Sequence, residues 1–161
     1  MAAAPEVACT VDPVGVERAQ QLQADADAEL EAGRGARAAE LLGEVADAYP
    51  ECRAYHGRRM VAIERALEQH RVAFDADGQR EHLVAALARV DRYLVSLEAA
   101  HGAVAEQTLG YGRLMAARAE LLARLPPEPP PPPVVTPDDP EAAGPRHPQL
   151  PPEPERSPER G

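Results

Sequence analysis

Two cysteines, five histidines and two serines are the side chains with the most to offer catalysis or metal binding in this 161-residue sequence. Their spacing builds no known reactive constellation. His56, His70, His82, His101 and His147 never recur at i+4, and no H-E-x-x-H is present, so a helix-borne zinc site is excluded. His70 alone falls on an apolar stripe, where a satisfied, partly buried imidazole is expected. Asp75-Ala-Asp77-Gly78 suggests a calcium loop until its register is fixed by placing Gly78 at the sixth position. The first position is then Ala73 and the twelfth Val84, so the opening aspartate and the closing bidentate glutamate are both missing. Ser96 and Ser157 lie in no nucleophile motif, and no glycine-rich phosphate loop occurs. The sequence thus predicts no catalytic residue, no cofactor and no metal: a non-enzyme.

The elements that would carry these residues are helical throughout. Asp12-Pro13 reads as a helix start, with the carboxylate capping free N–H groups and proline at the first helical position. A first helix is expected over about 13–32 on Ala19, Leu22, Ala26 and Leu30, stopped by Gly33-Arg34-Gly35. A second covers about 36–49 on Ala38, Leu41, Leu42, Val45 and Tyr49, closed by Pro50. A third spans about 53–75 on Met60, Ile63, Leu67, His70 and Phe74, and a fourth about 79–100 on Leu83, Leu87, Val90, Leu94 and Leu97. A fifth begins after His101-Gly102 and runs to Leu125 on Val104, Tyr111, Met115, Leu122 and Leu125, with Gly110 and Gly112 inside it. No period-two alternation competes. The fold class is all-α, about five helices in antiparallel hairpins, because connections of a few residues force neighbours to reverse.

Fifteen of the 18 prolines fall in the last 36 positions. Residues 1–11 are a flexible lead-in, 12–125 the helical domain, and 126–161 a disordered proline-rich tail with a polyproline run at Pro129–Pro133. The net charge is −10, all 17 cations are arginine, and no basic cluster forms, so a nucleic-acid partner is excluded. The longest apolar run, Leu83 to Ala88, is far short of the roughly 20 residues a spanning helix needs.

Cys9 precedes the first helix by three residues and Cys52 follows Pro50 by two, so an antiparallel hairpin carries both to one end. A disulfide is geometrically open to them. It would close a loop of about 43 residues, worth roughly 4 kcal/mol on the chain-entropy model. Two free thiols are the alternative, and the choice follows the compartment. Small residues before Pro5 and Glu6 resemble a signal-peptidase remnant, which suggests a start codon upstream of Met1 and a missing signal peptide. Periplasm or cell envelope is the expected location, with the cytoplasm as the alternative.

Gly33, Ala38, Leu42, Val45 and Pro50 resemble the second half of a tetratricopeptide repeat, and Gly78, Leu83, Leu87 and Val90 repeat the offsets 45 residues downstream. The resemblance covers about 19–94. It implies stacked helical hairpins whose first helices line a peptide groove, here presenting Gln20, Gln23, Asp27 and Glu31 to a protein partner. The functional expectation is a protein–protein interaction or spacer module of the bacterial cell envelope. A cytoplasmic regulatory or accessory subunit of a larger complex is the alternative.

Overall fold

The computed structural model describes residues 12–108 and 110–134. The chain divides into two units, Met1–Pro127 and Glu128–Gly161. In the second, the described residues 128–134 form no helix or strand and are exposed. Among the described residues the first unit is all-α, with no strand. Its helices are α1 (Pro13–Glu31), α2 (Gly35–Ala48), α3 (Arg53–Asp77), α4 (Arg80–His101) and α5 (Tyr111–Arg124), with a 3-10 segment at Gly102–Gln107.

Local chemistry sets the ends. Asp12 caps α1, its Oδ1 accepting from the Val14 N–H at 3.1 Å, with Pro13 in the first turn. Gly78, at φ +70°, ends α3 in the left-handed conformation. Helix α3 therefore runs two residues past the expected stop and takes up most of the aspartate turn: Asp77 is its last residue.

Consecutive helices run antiparallel. The start of α1 meets the end of α2, where a Cβ on Gly15 would lie 2.8 Å from the Ala48 carbonyl oxygen. Arg59 of α3 donates to the Ala46 carbonyl of α2 at 2.9 Å and also reaches Ser96 of α4. Arg118 of α5 pairs with Asp91 of α4, and Arg80 at the start of α4 donates to the Pro126 carbonyl. Alternate helices run parallel. Glu64–Arg113, Arg71–Glu120 and Asp75–Arg124 join α3 to α5 at one constant separation of 49 residues, which only parallel helices allow.

One core draws on all five helices, led by Val45, Met60, Ile63, Leu83, Val90, Leu97, Leu114 and Leu121. A smaller cluster, Ala26, Leu41, Leu42 and Ala66, seals α1 against α2 and α3. Nine of the 24 buried apolar residues among those described are alanine, so close helix approach replaces side-chain bulk.

The fifth helix departs from expectation. A 3-10 segment follows α4, and Gly110 sits at φ +88° as the N-cap of α5, not within a helix. That break resets the helical phase. Leu114 and Leu121 become the buried stripe, at 0% and 1% exposure, while the expected Met115 and Leu122 are 42% and 46% exposed.

Candidate interaction face

Helices α1, α3 and α5 present one side of the stack. On α1 the spacing i, i+3, i+7, i+11 aligns Gln20, Gln23, Asp27 and Glu31. Gln20, Asp27 and Glu31 are exposed and Gln23 is half-buried. The Gln23 amide donates to Asp27 Oδ1 at 3.1 Å, and the Arg65 guanidinium of α3 reaches the same oxygen at 2.8 Å. The Arg65 hydrogen bond, with Gln23 in support, holds the Asp27 carboxyl below its usual range. The ridge continues along α3 as Val61, Arg65, Glu68 and Val72, with both valines at least half exposed.

Between α3 and α5 lies a cleft of about 250 Å³. Leu67, Leu114, Ala117 and Leu121 give it an apolar floor, and Glu64, Arg71 and Arg113 a charged rim. The rim is held by ion pairs: Arg113 with Glu64 at 3.0 Å, and Arg71 with Glu120 at 3.1 Å and Glu68 at 2.5 Å. This is a surface of mixed charge over an apolar floor.

The second polar feature is buried. Arg59, 5% exposed, donates to the Ala46 carbonyl, lies 3.1 Å from Glu51 Oε1, reaches Ser96 Oγ at 3.4 Å and sits 4.9 Å from the Tyr93 ring centroid. Ser96 Oγ in turn donates to Glu51 Oε2 at 2.5 Å. Burial, countered in part by Arg59, pushes the Tyr93 phenol up to about 12. The Tyr93 hydroxyl is 3.3 Å from His56 Nδ1. Every role of Arg59 is used in tying the α2–α3 turn to α4, so the group reads as a clamp. Sequence reasoning missed it, although Arg59 lies in phase with Ile63, Ala66 and His70 on the buried side of α3.

His70 is buried, at 6% exposure, but not satisfied: its Nδ1 has no hydrogen-bond partner among the described residues. Burial lowers it to about 4, with smaller contributions from His82 and Arg89 against Glu40. The expected satisfied imidazole is therefore corrected to a neutral, partly unsatisfied one. No group of three or more His, Cys, Asp or Glu among the described residues could hold a metal ion. No described helix is long and apolar enough to cross a membrane.

Cys52 is 5% exposed at the N-cap of α3 and is disulfide-bonded. Cys9, the only other cysteine of the chain, lies outside the described residues, as do the rest of the lead-in at 1–11 and the tail at 135–161. No family model, curated protein or solved structure matches the chain.

Proposed function

We propose that this protein is a non-enzymatic interaction module that takes a polypeptide segment of a partner along the α1–α3–α5 face. The observation that carries the reading is the fixed parallel alignment of alternate helices. Arg65–Asp27 links α1 to α3, and three ion pairs at one separation link α3 to α5. Such alignment is what stacked helical hairpins of the tetratricopeptide kind use to build a continuous surface from helices distant in sequence. Gln20, Gln23, Asp27 and Glu31 form its α1 edge, Val61 and Val72 its exposed apolar points, and the α3–α5 cleft its deepest part.

The proposed compartment is the periplasm or cell envelope. Its support is the bonded state of Cys52, because disulfides persist where thiols are not kept reduced. The proline-rich segment after α5 would then act as a spacer. The test is affinity capture from source cells with the wild-type chain and two face variants, Val61→Glu and Arg65→Glu. A partner retained by the wild type and lost from both variants supports the assignment. Equal retention by all three overturns it.

A further inference from the structure

His70 lies on a part of α3 that charged groups of both α2 and α4 reach. It is 6% exposed, and its Nδ1 is buried without a hydrogen-bond partner among the described residues. From α2 it faces Glu40, and from α4 it faces His82 and Arg89. Glu40 favours a charge on the imidazole, whereas His82 and Arg89 oppose one. A protonated His70 is therefore drawn toward α2 and repelled by α4. The added N–H at Nδ1 would also be a buried donor without an acceptor until water reaches it.

The polar ties along α4 decide where such a strain relaxes. Arg89 is fixed in place. Its guanidinium donates to the Gly43 carbonyl of α2 at 3.2 Å and to Asp47 at 2.7 Å, and it leaves no room for a Cβ on Gly43. Beyond Arg89 the helix is held again. Asp91 pairs with Arg118 of α5, Tyr93 lies under the Arg59 guanidinium, and Ser96 bonds Glu51. Before Arg89 only two side-chain ties occur among the described residues. His82 Nε2 lies 2.9 Å from Asp77 Oδ2, and Arg80 donates to the Pro126 carbonyl at 3.0 Å.

We propose that the first half of α4, residues 80–88, is an acid-operated flap that protonation of His70 releases from α3 while the rest of the stack stays folded. Its movement lets water reach Nδ1 and carries the imidazole away from Arg89 and His82. Leu83, Ala86 and Leu87 are the buried side chains that it uncovers. The border falls at Arg89, because the helix from there onward is tied to α2, α3 and α5.

Hydrogen exchange of the full chain at pH 7.5 and 5.0, resolved by segment and corrected for the intrinsic pH dependence of exchange, tests this. The folded imidazole is held at about 4 against its ordinary 6.5, so an opening that frees it becomes on the order of 30-fold more frequent across that interval. Protection over 80–88 should fall by about that factor, while 38–46 of α2 and 91–97 of α4 keep theirs. His70→Gln and His70→Leu carry no group that titrates there, so both should keep 80–88 protected equally at the two pH values. Circular dichroism at pH 7.5 shows whether each variant keeps its helices, and if neither does, the wild-type profile decides alone. Equal loss in all three segments, no loss in any, or a loss over 80–88 that persists in a folded His70 variant each overturns the proposal.

Discussion

Arg59 and His70 lie about three turns apart on the same side of α3, are nearly equally buried, and are treated in opposite ways. The guanidinium meets a carbonyl, a carboxylate, a hydroxyl and an aromatic face. The imidazole leaves one nitrogen without a partner. Arg59→Met should destabilise the chain by about 3 kcal/mol in urea unfolding, because the Ala46 carbonyl loses its side-chain donor and the Glu51 carboxylate its neighbouring positive charge. Arg59→Lys should recover little of that, since one ammonium cannot span the same set.

His70 gives a pH dependence whose sign follows from its lowered value. Its unfolded imidazole titrates near 6.5 and its folded one near 4. Below 6.5 the unfolded chain binds the proton more readily, so stability is complete above that pH and falls progressively down to about 4. The full loss is on the order of 3 kcal/mol. Glu40, His82 and Arg89 act on the same group. Unfolding free energies of wild type and His70→Leu between pH 4 and 7.5 measure the contribution. The wild-type curve should fall more steeply on acidification, and parallel curves would remove His70 as its source.

At the scale of elements, legibility in the sequence tracked how continuous each apolar stripe was. Leu83, Leu87, Val90, Leu94 and Leu97 recur without a break, and all five are buried as their spacing predicts. The fifth helix failed because phase cannot be carried across a backbone that leaves the helix. Gly110 adopts a positive φ, and the count from Val104 through Met115 and Leu122 no longer applies beyond it. Of the candidate face, the α1 residues entered through the tetratricopeptide resemblance, and three of the four, Gln20, Asp27 and Glu31, are exposed. The matching positions on α3 and α5 were not legible, because their alignment depends on tertiary register. Gly110→Ala should cost roughly 1–2 kcal/mol from its φ of +88° alone. The Met60 side chain must also give way, since a Cβ there would lie 2.4 Å from its Cε. A thermal melt that does not move would argue against this turn.

For the whole molecule, a thin alanine-rich core makes any covalent tie between the lead-in and the body consequential. Asp12, Asp47, Glu51, Arg59 and Ser96 border one open pocket of about 510 Å³, which puts the start of α1 and the α2–α3 turn at the same end. Thiol titration of denatured, unreduced protein from source cells should find no reactive cysteine. Two reactive thiols would remove the disulfide and, with it, the argument for an oxidising compartment.

Site-specific photo-crosslinking in source cells tests whether the α1–α3–α5 face receives a partner. A photoreactive side chain would be placed at Gln20, Glu31, Val61 or Val72 on that face, and at Asp47, Ala85 or Arg92 on α2 and α4. One discrete heterologous adduct is expected from the first set and none from the second. The same adduct arising from α2 and α4 positions, with none from α1 and α3, would contradict that expectation.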